Sequence, residues 1–267
     1  MEPVEPEKRD LIIFFTLTYI FSWFFTVPLA LRSKGILNIG FAGPSTYIAS
    51  FGPAVSAIAL TYWAEKMTGV RALFSKLTRF KAGARWYLLA FLGPGIVGVL
   101  AFILDAFIAG NPPNFMWAAN FQSFPIIFIA VFLLGGPLGE ELGWRGYALE
   151  HLLKHYSYRD ANLILGFLWG LWHLPLFFIK TTPQAEIPLI GFMLQIMGVT
   201  FLYTWIIRGT GGSVFVAMVF HAASNSFAAI IPFLPLTVTG GTMGAFRIFI
   251  TMIWIVVAII WLREKKS

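Results

Sequence analysis

The sequence contains no cysteine among its 267 residues, and only 12% of its residues are charged. The absence of cysteine excludes disulfides, thiolate metal sites and a cysteine nucleophile. A soluble domain usually carries about 25% charged residues, so the low charge content excludes an ordinary water-soluble fold. Acidic residues are the scarcer kind, with 12 Asp and Glu against 19 Lys and Arg. Each acid inside an apolar run is therefore a candidate for a functional role.

Apolar residues make up most of the chain. They account for 58% of it, including 28 Phe and 10 Trp, and the mean hydropathy is +0.78. Runs with few charges recur at about 20 residues, the length that a helix needs to cross a bilayer. The sequence predicts eight spans, at about 11–31, 42–63, 86–108, 123–149, 161–179, 187–207, 213–231 and 245–262. We therefore expect an all-α polytopic integral membrane protein, because long runs without alternation exclude a β-barrel.

The positive charges fall unevenly on the two sides of these spans. Eight spans place both termini on one side, which holds 14 Lys and Arg against 4 on the other, with Arg145 set aside as intramembrane. The positive-inside rule then predicts cytoplasmic termini, and we expect the plasma membrane of a prokaryote rather than an organelle membrane. The basic residues are assigned to a lipid surface, so a lipid bilayer is the expected partner and nucleic acid is not.

Basic residues also surround a short apolar pattern between the second and third spans. In the segment 66–85, Val70, Leu73, Phe74 and Leu77 recur at helical spacing. This pattern predicts a cytoplasmic amphipathic helix, with ordinary loop anchoring of the topology as the alternative.

No internal repeat, low-complexity tract or linker divides the sequence. We therefore expect one domain over residues 1–267, with a core that carries the motifs at about 123–231. The lack of related halves disfavours a secondary transporter, because many transporters are built from detectable repeats. The first span is taken as part of the mature protein, because its run of about 21 residues exceeds the core of a signal peptide.

The fourth span is interrupted by three charges within six residues, in GGPLGEELGWRGYALE (135–150). A carboxylate at the bilayer centre costs roughly 2.5–3.5 kcal/mol, so each is a candidate for function. Glu141 and Arg145 are four residues apart on a helix, and we expect them to form an ion pair. Glu140 is rotated about 100° from Glu141 and has no such partner. It is therefore the carboxylate best suited to accept and donate a proton.

Two histidines fall within other spans. His173 lies in the fifth span, and His221 lies four residues before Asn225 in the seventh, so these two side chains project from one helix face. Imidazole and amide groups can stabilise an oxyanion, although they could instead bridge two helices. Counting 1.5 Å per residue from the predicted span ends brings Glu140, His173 and His221 to similar levels in the cytoplasmic half. The convergence favours a hydrolytic active site.

Other polar residues are weaker candidates. Asp105 is a lone acid in its span, so an aspartyl dyad is excluded. His151 and His155 are four residues apart but lack the glutamate of H-E-x-x-H, and we expect a solvated helix end. Ser213 opens the seventh span and is expected to be an N-cap. It lies about 12 Å along the helix axis from His221, too far for direct activation by that base.

These motifs resemble one known family. The residues EELGWR (140–145) match the E-E-x-x-x-R signature of the CAAX-protease and bacteriocin-processing (ABI) family, which includes the type II CAAX prenyl endopeptidases. An aromatic-rich segment ending in His173 and the pattern His221-x-x-x-Asn225 follow in the family's order. The resemblance implies an intramembrane endopeptidase that removes the last three residues after a prenylated cysteine. The expected partner is thus a prenylated or otherwise membrane-associated peptide or protein.

The family's roles can be carried onto matching positions. The resemblance implies that Glu140 activates water with help from His173, and that His221 and Asn225 stabilise the oxyanion. Glu141 and Arg145 match motif positions too and are expected to support the site.

Cofactor use has two readings under this resemblance. We expect no cofactor, because an asparagine suits an oxyanion better than it suits zinc. The alternative is a zinc peptidase in which Glu140, His173 and His221 are the ligands. A proton-coupled transporter that uses these residues as a relay and a noncatalytic membrane scaffold are the alternatives from other classes.

Overall fold

The computed structural model describes residues 6–38 and 45–264, and these residues form helices and connecting segments without a β-strand. The α-helices are α1 (Pro6–Ser33), α2 (Ser45–Ala49), α3 (Gly52–Ser75), α4 (Ala84–Ile108), α5 (Phe124–Leu134), α6 (Pro137–Gly143), α7 (Leu149–His155), α8 (Tyr158–Trp172), α9 (Leu189–Gly209), α10 (Val214–Ala228) and α11 (Met243–Glu264). A π-helical turn, Trp144–Ala148, joins α6 to α7. Short 3₁₀ segments are Lys76–Thr78, Met116–Ser123, Leu174–Phe178 and Pro183–Glu186.

Several of these helices are long and apolar enough to cross a bilayer. Within the described residues there are six such stretches: Lys8–Ser33, Ala84–Ile108, Met116–Leu134, Tyr158–Phe178, Leu189–Gly209 and Met243–Arg263. The predicted all-α polytopic membrane fold is confirmed, whereas the count of eight spans stays a prediction. The seventh predicted span is observed as α10, which has only 15 residues.

The second and fourth predicted spans are interrupted. Residues 42–44 of the second span lie outside the described part of the chain, and its remainder is divided between α2 and α3. The fourth predicted span, 123–149, breaks after α5, where Gly136 adopts φ +112°. Glycine has no Cβ and tolerates this conformation, which other residues rarely adopt. The break starts a new short helix, α6, at the charged motif.

Two glycines allow α6 to contact the main chain of its neighbours. A Cβ atom added at Gly139 would lie 2.5 Å from the carbonyl oxygen of Ser50, and one added at Gly143 would lie 2.3 Å from the carbonyl carbon of Pro53. Small residues permit this kind of close approach between helices in membranes. The charged motif is therefore held against the start of α3 by backbone contact.

The predicted amphipathic helix is shorter than expected. Lys66 has φ 56° and ψ −152°, which breaks α3, so residues 67–75 form a separate helical segment. Val70 and Leu73 are buried, and a Cβ atom at Gly146 would lie 3.4 Å from Leu73 Cδ1. Helix α3 ends at Ser75 rather than near 85, and part of the predicted lipid-facing side packs on protein.

Candidate active site

Glu140 lies in the first turn of α6, just after the break at Gly136. Its side chain is 5% exposed, and Trp169 Nε1 of α8 donates a hydrogen bond to Glu140 Oε2 at 2.8 Å. The other oxygen, Oε1, would lie 2.4 Å from a Cβ atom at position 136, and His221 Cε1 would lie 3.6 Å from the same point. The missing side chain of Gly136 thus leaves room for Glu140 Oε1 on the side that faces His221.

Glu141 contacts both Arg145 and His221 through one oxygen. Arg145 Nη1 donates to Glu141 Oε1 at 3.0 Å, and His221 Nδ1 lies 2.7 Å from the same oxygen. The predicted Glu141–Arg145 pair is confirmed, and its side chains are fully buried. The contact with His221 was not predicted. An ionised carboxylate only accepts hydrogen bonds, so His221 carries its proton on Nδ1 and directs Nε2 away from Glu141.

Two aromatic rings enclose the Arg145 side chain. Its guanidinium carbon lies 4.0 Å from the ring centroid of Trp169 and 3.7 Å from that of Tyr203. Arg145 Nε and Nη2 have no hydrogen-bond partner among the described residues. The faces of aromatic rings attract a cation. The rings of Trp169 and Tyr203 therefore stabilise the guanidinium group, two of whose nitrogens have no hydrogen bond among the described residues.

Arg145 belongs to the π-helical turn, a local departure from α-helical geometry that often occurs at functional sites. The turn is held from outside by Lys76, whose Nζ donates to the carbonyl oxygen of Gly146 and to Glu150 Oε2, each at 2.6 Å. The end of the motif at Gly146 and Glu150 is thereby bonded to the segment that follows α3.

His173 lies inside the apolar stretch Tyr158–Phe178, as predicted, at the point where α8 ends and a 3₁₀ segment begins. The α-helical conformation is disfavoured for the residue before a proline. Leu174 precedes Pro175 in the 3₁₀ segment, so α8 ends just before it. His173 Nδ1 lies 2.8 Å from the carbonyl oxygen of Trp169. A carbonyl oxygen only accepts, so Nδ1 carries the proton and Nε2 of the neutral ring has a free lone pair. The ring is 8% exposed.

Asn225 differs from the other candidates because its side chain is exposed. It lies one helical turn after His221 on α10, as predicted from their spacing. The residues between and beyond them, including Ala222, Ala223 and Ser226, are buried. Asn225 therefore marks the edge at which the buried cluster meets its surroundings.

The structure thus brings five predicted residues into one cluster. Glu140 and His173 are connected through Trp169, and Glu141, Arg145 and His221 are in direct contact. Within 6–38 and 45–264, no three His, Asp or Glu side chains are grouped so that they could hold a metal ion. Glu140, His173 and His221 do not form such a group, and the cofactor-free reaction stays a prediction.

The weaker candidates have structural roles. Ser213 is the predicted N-cap of α10, and its Oγ accepts from Val216 N at 3.3 Å and donates to Arg79 O at 2.7 Å. Asp105 accepts a hydrogen bond from Thr242 Oγ1 at 2.5 Å, beside the start of α11.

His151 stacks on the ring of Tyr147 with centroids 4.1 Å apart. Its Nδ1 lies 2.9 Å from the carbonyl oxygen of Tyr147, a contact within one helical turn. These contacts account for the ring without a metal ion.

Comparison with known proteins points to one family. Residues 122–227 match the family described as type II CAAX prenyl endopeptidase, Rce1-like. A stretch of 142 residues is 33% identical to CAAX prenyl protease 2 of Methanococcus maripaludis, and it covers 50% of this chain and 52% of that relative. The chain therefore matches about half the length of this curated relative. The matched family segment holds all six candidate residues, and it confirms that the chain resembles the Rce1-like type II CAAX prenyl endopeptidases.

Proposed function

We propose that this protein is an intramembrane endopeptidase that removes the C-terminal tripeptide after a prenylated cysteine. One observation carries the proposal. Glu140 is a buried carboxylate that receives a hydrogen bond from Trp169 on one oxygen, while its other oxygen lies beside Gly136 on the side that faces His221. A base in that position accepts a proton from a water molecule that lies between it and the peptide carbonyl.

Glu140 and His173 act on the water in this mechanism. The neutral His173 ring offers the lone pair of Nε2 to one O–H of the water, and Glu140 accepts the proton of the other. The water oxygen forms a bond to the scissile carbonyl carbon, and the carbonyl becomes an oxyanion. Glu140 then gives its proton to the peptide nitrogen as the C–N bond breaks, which releases a carboxylic acid and a free amine. The step is complete without a metal ion, and we propose a cofactor-free reaction.

His221 and Asn225 stabilise the oxyanion. His221 already uses Nδ1–H toward Glu141, so it donates from Nε2 only as the imidazolium ion. Glu141 balances that positive charge at 2.7 Å. With Glu140 and Glu141 ionised and Arg145 and His221 protonated, the buried cluster is neutral overall before substrate binds. Asn225 supplies its amide N–H groups from the exposed edge of the site.

The substrate class follows from the position of the site. A lipid-attached cysteine partitions into the bilayer, because each buried CH₂ group contributes about 0.8 kcal/mol. A peptide bond beside such an anchor stays at membrane depth, and only a protease with its base inside the membrane region reaches it there. We further propose cytoplasmic termini and a prokaryotic plasma membrane, which place the site in the leaflet that holds cytoplasmic prenylated proteins.

The test is cleavage of a farnesylated C-terminal peptide by purified protein. Glu140→Gln keeps the size of the side chain and removes the base, so we expect kcat/KM to fall by at least about 100-fold. Asp105→Asn is the matched control, because it neutralises another intramembrane acid that is bonded to Thr242 away from the site. We expect near wild-type cleavage from this control.

Four outcomes would count against the proposal or against one of its parts. Wild-type turnover by Glu140→Gln would remove the assigned base, and equal turnover of the unprenylated peptide would remove the prenyl requirement. The cofactor-free reaction would be overturned if the purified protein contained stoichiometric zinc and a chelator removed both the zinc and the activity. Proton uptake driven by a transported solute, without peptide cleavage, would favour a transporter instead.

A further inference from the structure

Trp169 contacts four residues of the candidate site, a role that the sequence motifs do not suggest. Its indole Nε1 donates to Glu140 Oε2 at 2.8 Å, and its carbonyl oxygen lies 2.8 Å from His173 Nδ1. Its ring lies against the guanidinium of Arg145, with a distance of 4.0 Å, and its centroid lies 6.0 Å from that of His221. The side chain is 3% exposed, so these contacts are made inside the protein.

The two hydrogen bonds act on the two groups that handle the water. The bond to Glu140 Oε2 fixes the rotation of the carboxylate, which leaves Oε1 as the oxygen beside Gly136. The bond from His173 fixes the tautomer of that ring, which leaves Nε2 as its acceptor. Trp169 donates the first bond and accepts the second, so the distance between base and imidazole depends on its side chain and its carbonyl group.

We propose that Trp169 is a positioning residue that holds the Glu140 carboxylate through its indole N–H. The inference rests on the proposed function, because it assigns Trp169 a role in that same hydrolysis. Without the N–H, the carboxylate can rotate about its terminal torsion, and Oε1 no longer stays beside the substrate carbonyl. A misplacement of a catalytic group by about 1 Å can lower the rate by about 100-fold. Substrate binding does not use this bond.

The chain offers a matched control three residues further along the same helix. Trp172 is also buried, at 7% exposure, and its Nε1 has no hydrogen-bond partner within the described residues. Trp169→Phe and Trp172→Phe remove the same atoms from the same helix. Both rings pack edge-to-face on His173, with centroids 5.8 Å away for Trp169 and 4.8 Å for Trp172, and only Trp169 donates a hydrogen bond to Glu140. Phenylalanine at 169 also keeps an aromatic face for Arg145.

We expect Trp169→Phe to lower kcat by about 10- to 100-fold, the loss that corresponds to one hydrogen bond to a charged group. We expect its KM to stay within about twofold of wild type, and Trp172→Phe to change neither constant by more than about threefold. Rates are compared per folded molecule, with the thermal unfolding midpoint of each variant measured in the same detergent. Equal kcat values for the two variants would overturn the inference.

A second substitution keeps the inference testable if Trp169→Phe does not fold. Trp169→benzothienylalanine replaces the N–H by sulfur and keeps the shape of the bicyclic ring and its contact with Arg145. A purely structural role predicts wild-type kcat for this isostere, whereas positioning through the N–H predicts the same loss as Trp169→Phe. Wild-type protein and Glu140→Gln, assayed alongside, distinguish a failure of the proposed function from a failure of the role of Trp169. If the wild-type protein does not cleave the farnesylated peptide, the proposed function fails, and if Glu140→Gln cleaves it at the wild-type rate, the assigned base fails. If Glu140→Gln is inactive and the isostere is fully active, only the role of Trp169 fails.

Discussion

At the residue scale, Glu141 makes one contact that its sequence position does not suggest. Its Oε1 contacts Arg145, as helical spacing predicts, and also His221, while its Oε2 has no partner among the described residues. Glu141 is thus the counter-ion of buried Arg145 and, in the proposed mechanism, of the His221 imidazolium ion. Removing one partner of a buried ion pair destabilises a protein by about 3–5 kcal/mol, because the other charge is left uncompensated.

Glu141→Gln is therefore expected to lower both stability and activity. The amide keeps the shape but cannot balance Arg145 and His221, so the imidazolium ion of His221 is no longer favoured. We expect a lower thermal unfolding midpoint in detergent and a loss in kcat of about 100-fold. Glu150→Gln is the control, because Glu150 pairs with Lys76 with a side chain that is 42% exposed. An unchanged unfolding midpoint for Glu141→Gln would contradict the counter-ion role.

The residues that were predicted and those that were missed differ in a physical way. The Glu141–Arg145 pair follows from helical spacing alone, because its partners are four residues apart. The contact between Glu141 and His221 joins residues 80 positions apart, and local periodicity contains no information about it. Trp169 and Tyr203 were missed for another reason. In a chain with 28 Phe, 10 Trp and 8 Tyr, an aromatic residue is an ordinary packing residue, and its type does not indicate a polar role.

At the scale of elements, the decisive feature is the break between α5 and α6. The spans were predicted from composition. Composition gives no information about a break in the helix inside an apolar run. The dipeptide Gly135-Gly136 before Pro137 is a recognised turn signal, and it could have placed this break. The end of α8 at His173 likewise follows from Pro175. The positions of the helices were thus predictable, and their interruptions required turn residues to be weighed against hydropathy.

Gly136→Ala is expected to disable the site through local geometry. The new Cβ would lie 2.4 Å from Glu140 Oε1, and the backbone would keep an unfavourable φ of +112°. We expect a loss of kcat of at least about tenfold, measured with the farnesylated peptide. Gly110→Ala is the control, because Gly110 also has positive φ, +71°, while no heavy atom lies within 4 Å of its added Cβ. Comparable kcat losses in both variants would show that backbone strain, and not the collision with Glu140, is responsible.

At the scale of the whole molecule, the charge distribution predicts an orientation that can be measured directly. The native sequence has no cysteine, so a single introduced cysteine reports on one position without background. Lys81 and Asn111 are exposed and lie at opposite ends of α4. We expect a membrane-impermeant maleimide to label Asn111→Cys in intact cells and to label Lys81→Cys only after the membrane is opened. The reverse pattern would contradict cytoplasmic termini.

The backbone contacts of Gly139 and Gly143 with the start of α3 have a consequence for how this sequence can change over time. A side chain at either position would enter space held by main-chain atoms of Ser50 and Pro53, which cannot move aside as a side-chain tip can. By contrast, Ile126 and Ile129 of α5 are 76% and 58% exposed on the outer surface. One apolar residue can therefore replace another on α5 during evolution without loss of the fold. Substitutions at the two glycines are expected to be rejected, although neither glycine takes part in the chemistry.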